Sequence, residues 1–234
     1  MRFEWLKDRR YAMDFLDYVV RNLDRIASEL LRHIHIIAIA VPLSIGIGAP
    51  IGIAIANHKN LAKVVIYIAS VMMTIPSLAL FGVMVVLLAP FGAGLGIPPA
   101  VIALIVYSML PIIRNVVVAI RAVDPEMIEA ARGMGMTKAQ VLFKVRLPLS
   151  VPIIMAGIRN AAVMGIAVTT IAYLVGARGL GYFIFSGLSR ARLDMILVGA
   201  ILVSAMGIGT NYGLMKLEHF LTPRGVRLER QENR

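Results

Sequence analysis

The sequence predicts an all-α membrane protein with five transmembrane helices. Of its 234 residues, 59% are hydrophobic and 16% are charged, whereas soluble domains average about 45–50% apolar and about 25% charged residues. Five apolar stretches are each about 20 residues long, the length that a helix needs to cross roughly 30 Å of hydrocarbon. These observations argue against a soluble globule. The absence of cysteine removes disulfides, thiolate metal sites and thiol nucleophiles from consideration.

The first predicted domain, residues 1–33, is an amphipathic segment. Between Asp14 and Leu31, apolar residues recur at helical spacing with charged residues between them. The resulting helix either lies on the membrane surface or packs against the bundle, and both alternatives stay open. No signal peptide is expected, because the first long apolar stretch comes late in the chain and is too long for an h-region. The four histidines form no ligand-spaced pair beyond His33 and His35.

The five predicted spans follow within one transmembrane domain, residues 34–215. Their predicted bounds are 34–56, 64–89, 98–120, 151–177 and 195–215. Gly48 with Gly52, and Gly209 with Gly213, stand four residues apart, which lets helix backbones approach closely. We expect packing within the chain at these glycines rather than a dimer seam.

The distribution of lysine and arginine orients the spans. Five spans place residues 57–63, the long loop 121–150 and the tail 216–234 on one side, and these segments carry 12 Lys and Arg residues. The two loops on the other side carry three, and the N-terminal segment adds seven. Because Lys and Arg concentrate in cytoplasmic loops, we predict an inner-membrane protein with an external N-terminus and a cytoplasmic C-terminus.

The five predicted spans contain no acidic residue. Proton- and sodium-driven transporters commonly bind the coupling ion at an intramembrane carboxylate, so such coupling is disfavoured. The same absence argues against catalysis by paired carboxylates or by a carboxylate-bound metal. The chain also lacks a phosphate-binding GxxxxGK[ST] loop. We therefore expect no enzymatic activity here, and energy for any pumping must come from another subunit.

Helix breaks that coincide with hydroxyl groups indicate a candidate translocation pathway. Prolines inside spans remove helix hydrogen bonds, and broken helices at membrane depth often line cavities. The predicted pathway residues are Thr74, Pro76, Ser77, Tyr107, Thr169, Thr170 and Tyr173. For each of them, a packing role is the alternative. Arg159 lies inside its span, where its long stem can reach toward the membrane surface.

The loop 121–150 carries its own helix signals. Asp124 can cap a helix that starts at Pro125, and Glu126 follows in the first turn, where the helix dipole favours acids. Gly133 and Gly135 then end this short helix. A loop without secondary structure would not need these helix-capping and helix-ending residues.

A second helix is predicted beyond the glycines. Thr137 and Gln140 form a capping-box signature for a helix that runs toward Leu147 and Pro148. On the first helix, Ala130 and Ala131 would form a flat face that seats in a groove of a partner.

The loop resembles a known family motif. The residues Glu129-Ala130-Ala131, Gly135 and Val145-Arg146-Leu147-Pro148 resemble the EAA-x3-G-x9-I-x-L-P loop of permease subunits in ABC-type importers, with Val145 in place of the usual Ile. The resemblance extends to residues 74–80, 176–181 and 221–225. These motifs are similar to the glycine betaine/carnitine/choline branch of the permeases. The methionine-importer branch shares the five-helix core and is less close.

This resemblance implies a type I ABC importer permease with a cytoplasmic coupling helix. It implies a second permease copy or paralogue, two cytoplasmic ABC ATPase subunits that use ATP and Mg, and an extracytoplasmic substrate-binding protein. The chain itself would hold no cofactor and no metal. The implied ATPase-coupling residues are Glu126, Glu129, Ala130, Ala131, Arg132, Gly133, Gly135, Leu147 and Pro148.

The implied solute is a small osmoprotectant such as glycine betaine, choline or carnitine. A pathway without acids fits a zwitterion or a quaternary ammonium held by aromatic faces. Alternatives are a methionine or amino-acid importer permease, and a stand-alone channel or facilitator. Nucleic-acid binding has little support, because aromatic residues do not alternate with the charges of the basic tail, which has Phe220 alone.

Overall fold

The computed structural model describes residues 9–223, with side chains described from Phe15 onward. Residues 1–8 of the predicted amphipathic segment and 224–234 of the predicted tail lie outside the described residues. The described regular elements are all helices. The helices are α1 (Arg9–Arg21), α2 (Leu23–Ile55), α3 (Lys59–Thr74), α4 (Ser77–Leu88), α5 (Ile97–Arg121), α6 (Pro125–Gly133), α7 (Lys138–Gln140), α8 (Leu147–Ile171), α9 (Gly181–Ser189) and α10 (Leu193–Leu221).

Within the described residues, four helices are long and apolar enough to cross a membrane. These are α2, α5, α10 and the continuous stretch Lys138–Val175, which contains α7 and α8. The pair α3 and α4 makes a fifth span if its two bent halves are counted together. The predicted all-α architecture is therefore confirmed. The second predicted span is broken at Ile75 and Pro76, where proline cannot donate a helix hydrogen bond.

Three helix boundaries differ from those that hydropathy predicts. The expected single amphipathic helix is interrupted at Asn22, and α2 runs unbroken from polar Leu23–Arg32 sequence into the apolar stretch. The helix α10 continues past residue 215 to Leu221, and α7 leads through the helical turns Val141–Arg146 into α8 without a stop. A helix backbone satisfies its own hydrogen bonds whatever its side chains are, so it does not have to end where polarity changes.

The chain divides into two compact units. The first comprises the described residues up to Ala40, Pro76–Leu104 and Met164–Ile208. The second comprises Val41–Ile75, Ile105–Val163 and the described residues from Gly209 onward.

In the first unit, α1 packs against a core formed by α9 and α10. Tyr18 of α1 is buried with Leu180, Phe183 and Met195. Leu16 and Val20 of α1 remain 62% and 67% exposed. The helix therefore buries one apolar face and leaves a second apolar face uncovered, as suits a helix that packs on a bundle at a membrane surface.

In the second unit, α2 and α5 approach closely at two glycines. A Cβ at Gly48 would lie 2.9 Å from Ile112, and one at Gly52 would lie 2.8 Å from Val116. Packing within the chain is thus confirmed for this glycine pair. By contrast, Gly209 has no atom within 4 Å of a Cβ position.

Candidate coupling loop and translocation pathway

The short helix α6 begins and ends where its local signals place it. An Asp124 side-chain oxygen accepts a hydrogen bond of 2.9 Å from the Glu126 N–H, and Pro125 occupies the first turn. Past the helix end, Gly135 adopts φ +77°, a left-handed conformation that glycine adopts without strain. The predicted cap and stop are confirmed.

One face of α6 is anchored in a small apolar core. Ile128 and Ala131 are 8% and 2% exposed and pack with Val123 and Val141. Ala131 is therefore not on a partner-facing surface, which corrects the expected alanine face. The reason is the i, i+3 spacing from Ile128, which places both residues on the same side of the helix.

The opposite face of α6 is open. Its exposed residues include both acids of the helix and large apolar side chains at 49% and 73% exposure. They are Glu126, Met127, Glu129, Ala130, Arg132, Gly133 and Met134. A capped helix held on one side and exposed on the other can seat in a groove of another protein.

The segment after α6 joins the loop to a long helix without a stop. Thr137 and Gln140 form the capping box, with hydrogen bonds of 2.8 and 3.3 Å. A π-helix, Val141–Arg146, follows and leads into α8. The Leu147 N–H bonds to the Leu142 carbonyl, five residues back. Wide turns of this kind often stand at functional sites, and this one precedes Pro148, which has no N–H to donate.

The second predicted helix therefore does not end at Leu147 and Pro148. Both residues are half-buried at the start of α8. The stretch stays helical through Pro148 because the wider π-helical turn before it accommodates a residue that donates no N–H.

Beside α6, basic side chains line an open pocket of about 460 Å³. Its bases are Lys59, Arg121, Arg132 and Arg146, and its acid is Glu129. Arg121 donates to the Ala56 carbonyl at 2.7 Å and Arg146 to the Asn57 side chain at 2.9 Å. The open face of α6 therefore presents charges of both signs, with the exposed carboxylate of Glu129 available to a basic group of a partner.

Two predicted pathway residues of the second unit, Thr74 and Tyr107, lie at the end of α3. Thr74 ends α3, and its hydroxyl donates to the Val71 carbonyl at 2.7 Å. The buried Tyr107 hydroxyl donates to the carbonyl of Ile75. This bond satisfies a backbone group freed by the break at Pro76. Ser77, half-buried, begins α4.

The other predicted pathway residues, including Pro76 and Ser77, belong to the first unit, so the structure does not bring all seven into one unit. Thr169 and Thr170 are 1% and 8% exposed, which favours packing for both. Thr170 donates to the Ile166 carbonyl at 3.3 Å, whereas the Thr169 hydroxyl has no hydrogen-bond partner among the described residues. The Tyr173 hydroxyl lies 3.2 Å from that of Ser186.

An ion pair inside the spanning helices was not foreseen from the sequence. Arg159 of α8 lies 3.2 Å from Glu218 of α10. Glu218 lies beyond the predicted span 195–215, but α10 continues past it and so brings its carboxylate to Arg159. Helical spacing past residue 215 would have extended the predicted helix. Arg159 is paired here rather than reaching alone to the membrane surface.

In the first unit, two side chains of α2 bind backbone N–H groups before α9, and the sequence did not predict these contacts. Glu29 accepts from the Gly179 N–H at 2.7 Å, and His33 accepts from the Leu180 N–H at 3.2 Å. The other ring nitrogen of His33 lies 3.1 Å from the Ile166 carbonyl. His33 therefore holds the loop before α9 in place. Among the described residues, no group of three or more His, Cys, Asp and Glu residues could hold a metal ion.

Apolar spanning helices, one broken at a proline, together with an anchored helix in a hydrophilic loop define a multi-pass membrane protein. Residues 48–224 match the family described as binding-protein-dependent transport system inner membrane component. The chain belongs to this family. It is accordingly a multi-pass inner-membrane component of a transport system that works with a binding protein.

Curated relatives lie in the osmoprotectant branch. The chain is 42% identical over 215 residues to the osmoprotectant import permease protein OsmW of Salmonella typhimurium, covering 92% of this chain and 100% of that protein. It is 44% identical over 200 residues to the carnitine transport permease protein OpuCB of Listeria monocytogenes, covering 86% and 89% of the two chains. The predicted resemblance to this branch is confirmed.

Solved structures show the same fold. A chain of the inward-facing MetNI methionine ABC transporter aligns with a TM-score of 0.77 at 20% identity, covering 87% of this chain and 99% of that chain. An amino acid ABC transporter with histidines aligns with a TM-score of 0.71 at 22% identity, covering 88% and 97%. The predicted type I ABC importer permease fold is confirmed.

Proposed function

We propose that this chain is the membrane permease subunit of an ATP-driven importer for a small quaternary ammonium osmoprotectant, such as glycine betaine, choline or carnitine. The names of its relatives support this solute class. The observation that carries the transport role is α6, which is capped, anchored through Ile128 and Ala131, and open on its other face. A helix held on one face and exposed on the other can dock in a groove of a partner subunit.

The chain supplies the pathway, and partner subunits supply the energy. Two ABC ATPase subunits would bind ATP and Mg and dock on the α6 loops of two permeases, the second being another copy or a paralogue. The coupling residues in this loop are Glu126, Glu129, Ala130, Arg132 and Gly133 on the open side of α6. Ala131, Gly135, Leu147 and Pro148 shape the loop. A substrate-binding protein would deliver the solute from outside.

Movement of α6 would be passed on through its apolar core. Ile128 of α6 packs with Val141, which begins the helical stretch that leads into α8. Closure of the ATPases would therefore displace α6 and α8 together and switch the bundle between inward- and outward-facing states. The solute must have different affinities in the two states for the cycle to be coupled.

We propose that α6 lies in the cytoplasm, together with the C-terminus, and that the N-terminus is external. Support comes from the excess of Lys and Arg in residues 57–63, 121–150 and 216–234. Reporter fusions within 121–150 should therefore be active only as cytoplasmic reporters. Activity of an external reporter at this loop would reverse the orientation.

The pathway is proposed to take a solute without net charge or with a quaternary ammonium group. Tyr107, Tyr173, Thr74 and Ser77 offer aromatic faces and hydroxyls, which suit such solutes. Glu218 in α10 is paired with an arginine, so the pair carries no net charge.

The docking role is tested by reversing one charge on α6. Glu129→Lys adds a base beside the basic pocket, and we expect it to leave the chain in the membrane while ATPase copurification and uptake are lost. Asp17→Lys, an identical charge reversal at an exposed residue of α1, is the matched control and should keep both. Normal copurification and uptake in Glu129→Lys would contradict docking through α6.

A further inference from the structure

Two charged side chains from different spanning helices meet in the second compact unit. A guanidinium nitrogen of Arg159, in α8, lies 3.2 Å from a carboxylate oxygen of Glu218, in α10. Their side chains are only 24% and 15% exposed. Removing one member of such a pair leaves an uncompensated charge in a setting of low polarity. The two residues therefore act as a unit.

The pair holds a stretch of α10 that has little packing of its own. Between Gly209 and Leu221, all of which the structure describes, no residue is fully buried. The buried residues of α10, Met195, Val198 and Gly199, come earlier in the helix. No fully buried apolar side chain therefore holds this stretch, and the next buried residue is Thr222, directly after it. A charge pair can set register even where apolar packing is weak.

Arg159 stands on the helix that begins at the coupling loop. The helical stretch Lys138–Val175 is continuous, and α6 packs on its first turns through Ile128 and Val141. Arg159 lies about 18 Å along the helix axis from Leu147.

Just before Arg159, α8 also sits tightly on α5. A Cβ at Gly157 would lie 2.6 Å from the Asn115 Cβ and 2.7 Å from the Pro111 carbonyl oxygen. The backbone of α8 therefore packs closely against α5, and Arg159 of the same helix forms an ion pair with α10.

We propose that Arg159 and Glu218 are positioning residues that couple α10 to the loop helix α6. Displacement of α6 moves α8, and the ion pair carries that movement to the C-terminal stretch of α10. The long side chains of both residues keep contact while the angle between the helices changes. This inference rests on the proposed docking of ATPase subunits at α6. Coupling of this kind requires that the C-terminal stretch of α10 change its position together with α8.

Transport measurements separate coupling from a merely structural role. In proteoliposomes that hold the whole importer, Glu218→Gln and Arg159→Gln should keep assembly and ATP hydrolysis, while solute uptake per ATP falls about tenfold. The double variant that exchanges the two residues, Arg159→Glu with Glu218→Arg, should restore most of the solute uptake per ATP. Lys216→Gln removes a neighbouring charge that lies over the Tyr212 ring on α10, and it should leave the ratio unchanged.

Distances between two spin labels test, without any solute, whether the Arg159–Glu218 pair links α8 to α10. We call this contact the link. The chain has no cysteine, so Asn160→Cys on α8 and Tyr212→Cys on α10, both at accessible positions, can carry two spin labels. In the full-length permease, we expect one narrow distance distribution, a broad one after Glu218→Gln, and a narrow one again in the exchanged pair.

The two measurements also separate failure of the link from failure of the proposed function. An unchanged narrow distribution in Glu218→Gln overturns the link, as does uptake per ATP at the wild-type level. A complex that takes up no solute with ATP overturns the proposed function instead, and the distance distributions still decide whether Arg159 and Glu218 hold the two helices together.

Discussion

Gly181 shows how a single residue fixes the packing of α9. A Cβ at this position would overlap the carbonyl oxygen of Thr170 and lie 2.9 Å from its carbonyl carbon. The turn before α9 is held on its other side by Glu29 and His33, which bind the Gly179 and Leu180 N–H groups. This corner of the first unit therefore depends on a residue without a side chain.

Replacing this glycine should destabilise the fold. We expect Gly181→Ala to lower the free energy of unfolding by about 1–3 kcal/mol, because the added methyl overpacks the contact with α8. The matched control is Gly82→Ala in α4, where a Cβ would meet no atom within 4 Å. Thermal unfolding of the purified chains in detergent measures both. Equal melting temperatures for Gly181→Ala and the wild type would show that the backbone moves aside freely.

Residues that act through distant partners were the hardest to predict from the sequence. His33 stands out in the sequence only for its spacing from His35, yet its ring bridges backbone groups more than 130 positions away. Arg159 and Glu218 were each assigned a separate local role. Periodicity and spacing report on neighbours along the chain, and they carry no information about such long-range contacts.

At the scale of elements, α6 was predicted well because its determinants are local. Asp124, Pro125 and Gly135 act within one or two turns of their own positions. The inward placement of Ala131 was missed, since it depends on which side of α6 meets Val141. The break at Pro76 was also predictable, whereas the partner of the freed carbonyl, Tyr107, was not.

The cap of α6 can be tested directly. Asp124→Ala removes the acceptor for the Glu126 N–H and should destabilise α6 by about 1 kcal/mol. Hydrogen exchange in Pro125–Gly133 should then be about fivefold faster. His58→Ala is the control, because His58 occupies the N-cap position of α3 without a side-chain cap bond. Unchanged exchange in α6 after Asp124→Ala would show that the anchoring core alone maintains the helix.

For the whole molecule, hydropathy predicted that the spans exist but not where they end. Apolar stretches of about 20 residues are a property of composition, and the structure has a helix at each of them. Helix ends are set by caps, breaks and tertiary contacts, so α2 starts at Leu23 and α10 continues to Leu221. The short extension of α10 matters, because it brings Glu218 to Arg159.

The solute class follows from relatives rather than from any cavity in the chain. In the proposed function, the loop around Glu129 contacts the ATPase and not the solute. The fold is likewise shared with methionine and amino acid ABC transporters. Selectivity must therefore be measured on the assembled importer.

The most direct test is ATP-dependent uptake by the importer reconstituted with its ATPase and binding protein. Labelled glycine betaine, choline, carnitine and methionine are supplied separately, with and without ATP. We predict uptake of at least one quaternary ammonium solute, dependent on both ATP and the binding protein, and no uptake of methionine. Uptake of methionine alone would contradict the solute class. Uptake by the permease without ATP or partners would make the chain a facilitator.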